Sequence, residues 1–256
     1  MSNKPAFTVK SKNYHFFVDS QPSDFLLMNR IQSYQKDQSV VDAYGELWIF
    51  AFANLAPNQL FIRHGEKSIP LVGPWGIFIG DYSLVEWQVK KGGFSWQALT
   101  SLKKELPLEL RGKVFLVPWN REAPKNTDEL FHNICHNPDK IEIESQRKSS
   151  AVALKTKNFI DKNYHENTLI KTVADELNFS WAVMTREFKK SYGISPIEYR
   201  HKLRVFKALK ELSSGMDVTT ALSESGFTSS SQFFIQFKKH LGVSPNNYHY
   251  NSRRFS

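Results

Sequence analysis

The sequence predicts an α+β protein of two domains: an all-β barrel or sandwich followed by an all-α domain. Short segments rich in β-branched and aromatic residues recur at roughly ten-residue spacing in the first half. In the second half, apolar residues follow the 3.6-residue period of amphipathic helices, and one thirteen-residue phrase occurs twice. At 256 residues, the chain has about the length of two ordinary domains.

The predicted strands are separated by turn signals such as Ala56-Pro57-Asn58, His64-Gly65-Glu66 and Gly92-Gly93. We place them at residues 47–53, 59–63, 76–79, 84–89, 94–98 and 113–117, followed by a short helix at 128–135. A polar stretch of mixed charge, residues 137–150, then predicts a linker. It divides a β-rich sensor or dimerisation domain (1–136) from a helical domain (151–256). We expect helices at 151–163, 169–177, 181–192, 196–212, 218–224 and 229–241, and a short one from Pro245.

Composition and charge indicate a globular protein whose second half meets an acidic partner. Hydrophobic residues make up 41% and charged residues 23% of the chain, and the formal net charge is +9. Residues 1–150 hold 18 Lys and Arg against 16 Asp and Glu, whereas residues 151–256 hold 16 against 9. The single cysteine, Cys135, excludes an intrachain disulfide framework. Because we find neither a signal-peptide core nor an apolar run of about 18 residues, we expect a cytoplasmic protein with no membrane role.

The repeated phrase is the strongest signal in the sequence. Residues 188–200 (FKKSYGISPIEYR) and 237–249 (FKKHLGVSPNNYH) are identical at seven of thirteen positions. Gly193 and Gly242 are suited to end a helix in the left-handed conformation, and each is followed by a Ser-Pro pair that starts another. A matched turn precedes each copy, at residues 177–180 and 225–228. The pattern predicts two helix-turn-helix motifs joined by the helix 196–212.

Helical phase predicts which residues of the first motif face outward. Met184 and Phe188 point inward, and the opposite face carries Ala182, Thr185, Arg186 and Lys189. This polar, cationic face suits base edges and phosphates, with Arg186 the candidate for a bidentate contact to guanine. Alternatively, Arg186 is a surface arginine paired with a neighbouring carboxylate such as Glu187 or Asp175.

The corresponding face of the second motif is more apolar. It carries Ser231, Phe234, Ile235 and Lys238. Three alternatives stay open: the helix reads thymine methyls and groove shape, it docks another protein surface, or the assumed helical phase is wrong by one residue. The other cations predict phosphate contacts, which fix register and make affinity depend on salt. These phosphate candidates are Lys189, Lys190, Arg200, Lys202, Lys238 and Lys239, with Arg204 and Lys207 beside them.

Residues 150–250 resemble the AraC/XylS family of bacterial transcription regulators. The resemblance rests on residues 180–199 and 226–248, above all on the FKK-x-x-G-x-SP-x-x-Y phrase. It implies seven helices, with two recognition helices in successive major grooves about one helical turn apart. It also places Ala182, Thr185, Arg186, Ser230, Ser231 and Ile235 at base-reading positions. The family commonly has arginine where this chain has Ile235. The isoleucine side chain cannot donate the hydrogen bonds by which the second motif would read bases directly.

The resemblance also implies an N-terminal β-barrel of cupin-like form that binds an effector or pairs subunits. Strand alternation puts Trp48, Phe50 and Phe52 on one side of a strand, and Trp87 on one side of another. These four residues either line an apolar effector pocket or form plain core; the second is the commoner role for such side chains.

The leading hypothesis is a sequence-specific regulator, an activator that binds double-stranded promoter DNA and works with RNA polymerase. A small-molecule effector and homodimer formation are further expected partners of its first domain. The alternative is a protein-interaction module that keeps the family fold and binds DNA weakly or non-specifically.

A cupin-like metalloenzyme is the third hypothesis. The first half offers only His15, His64, His132 and His136, without a His-x-His pair, and the cluster 132–136 is a remote candidate for a metal. Neither a glycine-rich phosphate loop nor a nucleophile elbow occurs in the sequence. We therefore expect no enzymatic activity, no cofactor and no metal.

Overall fold

The computed structural model describes residues 7–11, 14–20, 26–101, 105–119, 124–144, 149–242 and 244–247, with side chains from residue 32 on. The first half is sheet-rich and the second half is helical, which confirms the predicted two-part architecture. The mixed segment between them is less separate than predicted. Ile141 and Glu142 pair with the sheet, and Ile143 is buried in its core.

The sheet-rich half is antiparallel throughout the described residues. Its strands are β1 Phe7–Ser11, β2 Tyr14–Ser20, β3 Leu26–Tyr34, β4 Gln38–Ala43, β5 Ile49–His64, β6 Lys67–Ile79, β7 Leu84–Val89, β8 Gly92–Thr100, β9 Val114–Pro118 and β10 Ile141–Glu142. The hydrogen-bonded order is β1-β2-β3-β8-β5-β6-β9-β10, and β7 pairs with both β5 and β4.

Two predicted strands, 47–53 and 59–63, are one strand in the structure. The breaker between them falls inside β5, where the pairing with β6 shifts register between Leu55 and Leu60. Asn58 at this irregularity has a positive φ of 61°, a conformation that Asn tolerates better than most residues. A bulge thus absorbs the Pro and Asn without ending the strand.

Strand alternation gives the sheet two buried faces. On one face, Trp48 and Phe50 pack with Phe78 and Phe115 and with the helix α1 (Thr127–Cys135). On the other face, Ile49 and Ala51 belong to the core that continues into the helical half. The Asn126 side chain caps α1 by accepting a hydrogen bond from the Glu129 amide at 2.9 Å.

The helical half contains six α-helices and one turn of 3-10 helix among its described residues. They are α2 Ala151–Asn163, α3 Ile170–Glu176, α4 Trp181–Tyr192, α5 Pro196–Ser213, α6 Val218–Glu224, α7 Ser230–Leu241, and the 3-10 turn Pro245–Asn247. The bounds of α2, α4 and α6 coincide with the predicted ones. Within the part of the chain that is described, no helix is both long and apolar enough to cross a membrane.

The long helix α5 is the centre of the helical half and its main contact with the sheet. Tyr199 and Leu203 pack with the core of α2 and α4, and the same cluster includes Val41 and Leu84 of the sheet. Farther along α5, Val205 and its neighbours pack with α6 and α7. One helix therefore holds both halves of the helical domain against β4 and β7.

A charged cluster fastens α5 to the sheet-rich half at Glu46. Its carboxylate accepts hydrogen bonds from Lys210 at 2.6 Å and from Tyr164 at 3.3 Å, and forms an ion pair with Lys207 at 3.1 Å. Burial by itself raises the pKa of Glu46, but the two lysines outweigh burial and hold this pKa below its ordinary value. The cluster stabilises the contact between the halves when Glu46 is ionised.

Candidate nucleic-acid interface

The repeat recognised in the sequence is a repeat of hydrogen bonds in the structure. After α3, the amide of Asn178 donates to Asp175 and that of Phe179 donates to Ala174, at 3.0 and 2.8 Å. After α6, the amide of Gly226 donates to Ser223 and that of Phe227 donates to Leu222, at 2.9 and 3.2 Å. Both turns are Schellman-type ends, closed by a residue of positive φ: Asn178 at 57° and Gly226 at 81°.

The second helix of each pair has the same caps. Ser180 accepts a hydrogen bond from the Val183 amide at the start of α4, and Ser229 accepts one from the Gln232 amide at the start of α7. Gly193 and Gly242 end these helices, each at a φ of 76°. The two helix-turn-helix pairs are therefore built alike, as the sequence predicts. The end of the second phrase, from residue 248 on, lies outside the described residues.

The outer face of α4 is exposed, as its helical phase predicts. Met184 and Phe188 are completely buried. On the opposite side, Ala182, Arg186 and Lys189 are exposed and Thr185 is half-buried. The Arg186 side chain is 70% exposed, and its Nε lies 3.2 Å from the carboxylate of Glu187. An ion pair this exposed contributes little stability and is readily exchanged for another acceptor.

The outer face of α7 is apolar at its centre. Phe233 and Phe237 are completely buried, while Ser230 and Ser231 are exposed and Ile235 is 64% exposed. Phe234, which we expected on the outer face, is half-buried, since its ring packs edge-on against Phe233 at 5.7 Å between centroids. The predicted phase is thus right, and Ile235 is the apolar side chain that this face presents.

Four of the predicted phosphate contacts lie on the surface. Lys189, Lys190, Lys238 and Lys239 are exposed in the last turns of α4 and α7. Lys239 also forms an exposed ion pair with Glu198, at 3.6 Å. Positive charge at these helix ends does not come from His240, because burial and then the nearby lysines lower its pKa to about 3.

The cations of α5 have other roles in this structure. Lys202 is 7% exposed and forms an ion pair with Asp42 of the sheet at 3.7 Å. Arg200 is half-buried and donates to the carbonyl of Thr168. Arg204 donates to the carbonyls of Tyr164 and Glu166, and Lys207 pairs with Glu46 and Glu211. Because these groups hold elements together, they are poorly placed for the phosphate role that the sequence indicates.

The predicted effector residues do not form one pocket. Trp48 and Phe50 are core, and Phe52 packs against that same cluster. Of these four residues, Trp87 alone lines a cavity of about 380 Å³ that lies between the sheet and helices α5 and α7 in the described part of the chain. The reason is strand alternation: the cavity side of β5 presents Ala51 instead. Sequence reasoning missed this cavity, because its lining residues are far apart along the chain.

The geometry of residues 132–136 does not support the metal site that the sequence offers there. The rings of His132 and His136 are stacked, 4.2 Å between centroids, and the Nδ1 of His136 lies 2.9 Å from the carbonyl of His132. Burial raises the pKa of the Cys135 thiol, which disfavours the thiolate that a metal needs. Among the described residues, no three His, Cys, Asp or Glu side chains are grouped to hold a metal ion.

A comparison with protein families decides the identity of the helical half. A family described as a helix-turn-helix domain matches residues 173–250, which cover both helix pairs except the first three residues of α3. Residues 173–250 are a helix-turn-helix domain of the AraC/XylS type. The match agrees with the prediction of a regulator rather than an enzyme.

Curated relatives match part of this chain. The chain is 25% identical over 130 residues to the uncharacterized HTH-type transcriptional regulator YisR of Bacillus subtilis, covering 50% of this chain and 45% of YisR. It is 33% identical over 91 residues to the bifunctional transcriptional activator/DNA repair enzyme AdaA of the same organism, covering 34% and 42%. The chain spans about half the length of the curated relatives it matches, or less.

Two solved structures are similar to this chain at TM-scores below 0.5. The C-terminal domain of AraT, a response regulator from Geobacillus stearothermophilus, is 31% identical, covers 40% of this chain and 85% of that chain, and has a TM-score of 0.38. ToxT from Vibrio cholerae is 13% identical, covers 87% and 97%, and has a TM-score of 0.45.

Proposed function

We propose that this protein is a sequence-specific transcription regulator that inserts α4 and α7 into the major groove of double-stranded DNA. The main support for this proposal is that each of these helices has an exposed outer face and is the second helix of a helix-turn-helix pair. A recognition helix needs outward side chains at its first turns and a rigid support behind it. The buried pairs Met184–Phe188 and Phe233–Phe237 supply that support.

The two motifs divide the recognition between them in this proposal. In the first, Ala182, Thr185 and Arg186 contact base edges, and Arg186 leaves Glu187 to donate two hydrogen bonds to a guanine. In the second, Ser230 and Ser231 donate or accept hydrogen bonds, while Ile235 contacts the methyl group of a thymine. Phe234 packs against Phe233 and makes no base contact in this proposal.

Exposed lysines position the protein on the phosphates. Lys189, Lys190, Lys238 and Lys239 follow the two recognition faces, and the last of them exchanges Glu198 for phosphate. Neutralising three or four phosphates predicts a slope of log affinity against log salt of about −3 to −4. The buried Lys202 and the half-buried Arg200 are left out of this set.

A titration of the full chain against duplex DNA at several salt concentrations tests the proposal. We expect tight binding to a selected site and a slope near the value above. A mixed random duplex of the same length is the control, and it should bind at least about 10³-fold more weakly at physiological salt. Binding that is absent or independent of salt contradicts the proposal.

The first half completes the proposal as a cytoplasmic, cupin-like sensor. Its role would be to bind an effector, to pair two copies of the chain, or both, and the output would be activation through RNA polymerase at a promoter. Support for these finer points is the family resemblance and the direct packing of the sheet on α5.

A second candidate is a protein-interaction module, which the 64% exposure of Ile235 favours. An apolar side chain at the centre of a helix face suits a protein surface as well as a thymine methyl. In this case Ile235→Ala leaves DNA affinity unchanged and abolishes partner binding.

A further inference from the structure

The segment between α2 and α3, residues 164–169, lies where the two helix-turn-helix pairs, α3–α4 and α6–α7, come together. At one end it continues into α3, the first helix of the first pair. Along its length it meets the turn of the second pair, since a Cβ atom built on Gly226 would lie 2.2 Å from the carbonyl oxygen of His165. The segment is therefore a direct link between the two pairs, in addition to α5.

Two arginines of α5 hold this segment by its backbone. Arg204 donates from Nε to the carbonyl of Tyr164 at 2.6 Å and from Nη2 to the carbonyl of Glu166 at 2.7 Å. One helical turn earlier, Arg200 donates from Nη1 to the carbonyl of Thr168. Because a guanidinium is planar and its donors form a rigid fork, such bonds fix direction as well as distance. Every second carbonyl of the segment is thus held by one face of α5.

The guanidinium of Arg204 also faces the second pair. Its central carbon lies 5.8 Å from the centre of the Phe227 ring, within the range of a cation–π contact. Phe227 lies in the turn between α6 and α7, and its ring packs against that of Phe233 on α7, at 5.3 Å between centres. One side chain therefore contacts both the segment that leads into the first pair and the turn of the second.

Stability does not account for a charged residue at this place. The Arg204 side chain is 4% exposed, and the acceptors that it contacts are neutral carbonyls rather than a carboxylate. Burial, and then the charge of Arg200, lower the pKa of Arg204 to about 10, so the group is still charged at pH 7. Burying a charge without a counter-charge costs free energy. An apolar residue would fill the same space without that cost, but it would not fix a direction.

The apolar contacts along α5 form two sets, one for each pair. Tyr199 and Leu203 pack with the core of the first pair, whereas Val205 and Ala208 pack with the core of the second. Among the described residues, neither set includes helices of both pairs. Because apolar attraction is not directional, these contacts attach each pair to α5 without joining the pairs to each other. Arg204 lies between the two sets and contacts both pairs.

We propose that Arg204 is a positioning residue, which sets the distance and relative rotation of the recognition helices α4 and α7 by fixing residues 164–168 between their motifs. Arg200 extends the same contact by one helical turn. The geometric part of this inference concerns the free protein. Its consequence for DNA, a strict spacing of the two half-sites, rests on the proposed function.

Double electron–electron resonance on the full chain measures the geometric part directly. Nitroxide labels on Lys189→Cys and Lys238→Cys, exposed and equivalent positions of the repeat, report the distance between α4 and α7 in a Cys135→Ser background. We expect a narrow distribution of distances in the parent. Arg204→Lys keeps the positive charge but loses the fork, and should make the distribution about twice as broad.

A matched control separates this contact from arginine replacement in general. Arg111 also donates to a backbone carbonyl, that of Leu106 at 3.2 Å, but lies in the sheet-rich half. Arg111→Lys should leave the distribution between α4 and α7 unchanged. If Arg204→Lys does not fold, as judged by circular dichroism at 222 nm, Arg200→Lys replaces it and should broaden the distribution too.

Binding to duplexes with different spacings measures the consequence for DNA. The centres of the two half-sites are placed about 8 to 13 base pairs apart, so that each added base pair rotates one site relative to the other. The parent should bind the best spacing about tenfold more tightly than spacings two base pairs away, and Arg204→Lys should reduce this ratio about threefold or more. Affinity for a duplex with a single half-site should stay the same.

The outcomes are distinguishable. Equal distance distributions in the parent, Arg204→Lys and Arg111→Lys overturn the inference, whatever the protein does with DNA. A variant that keeps the narrow distribution and loses affinity for all spacings by the same factor overturns it too, because Arg204 is then a stabilising residue only. A parent that binds none of the duplexes refutes the proposed function, while the distances still decide whether Arg204 positions the two helices.

Discussion

Replacing Gly226 by alanine should lower the free energy of unfolding much more than replacing Asn178, the equivalent residue of the first helix-turn-helix, by alanine. Gly226 closes the turn after α6 at a φ of 81°. A Cβ atom built on it would lie 2.2 Å from the carbonyl oxygen of His165 and 2.6 Å from the carbonyl carbon. Both are backbone atoms, so the contact is relieved only if the chain before α3 or the turn itself moves.

The magnitude follows from two separate costs. The left-handed conformation costs a non-glycine residue about 1–2 kcal/mol. Overpacking against a fixed neighbour costs about 1–3 kcal/mol more. Together they predict that Gly226→Ala lowers the free energy of unfolding by about 2–5 kcal/mol. Asn178, the equivalent residue of the first turn, has a similar φ and already carries a Cβ. Asn178→Ala therefore bears only the first cost, about 1 kcal/mol.

Urea unfolding of the two variants and the parent, followed by circular dichroism at 222 nm, measures this difference. A change in midpoint without a change in slope is required for the comparison to count as stability. If Gly226→Ala and Asn178→Ala are destabilised by the same amount, the close approach of residue 226 to His165 is wrong.

Three further predictions concern the two recognition faces and the contact between the halves. Arg186→Ala should lose about 1–3 kcal/mol of preference at particular base pairs, whereas Lys189→Ala should weaken all sequences alike and lower the salt slope by about one; salt titrations on matched and mismatched duplexes separate the two. Ile235→Ala should cost about 1–2 kcal/mol at a site with thymine, and replacing that thymine by deoxyuridine should cost nothing more in the variant; equal losses from deoxyuridine in both proteins would exclude the methyl contact. Glu46→Gln should lower the free energy of unfolding by about 1–3 kcal/mol at pH 7. Because the pKa of Glu46 is lowered on folding, its contribution is present above about pH 4.5 and is lost as the pH falls through the folded value. A stability difference between parent and variant that grows on acidification would contradict this sign.

The repeated unit was predictable because its information is local. A serine cap, an inward pair four residues apart, a closing glycine and a Ser-Pro pair each act within a few residues, and each takes its predicted place. The bounds of α4 and α6 agree with the prediction for this reason. The sequence did not reveal one distant contact: a Cβ atom at residue 226 would meet the backbone of His165, so glycine is required there for space as well as for its φ.

The cations of α5 show where local information ends. Periodicity gives a helix one inner face, but α5 is packed on several sides. Lys207 and Lys210 both interact with the carboxylate of Glu46, which lies 164 residues before Lys210 in the sequence. Nothing in the spacing of the lysines distinguishes a phosphate contact from this ion pair.

The cavity could not be predicted from the sequence either, because its lining residues are far apart along the chain. Its walls come from several strands and from the ends of two helices. Alternation along β5 correctly put Trp48 and Phe50 on one side, yet which side meets α1 and which meets α5 depends on the packing of distant elements.

Selection from random duplexes with the full chain tests the central claim most directly. If α4 and α7 both enter one DNA, the enriched sequences contain two half-sites separated by about 10–10.5 base pairs between centres. One half-site holds a guanine that depends on Arg186, and the other holds a thymine that depends on Ile235. Enrichment of a single half-site, or of none, would contradict the account.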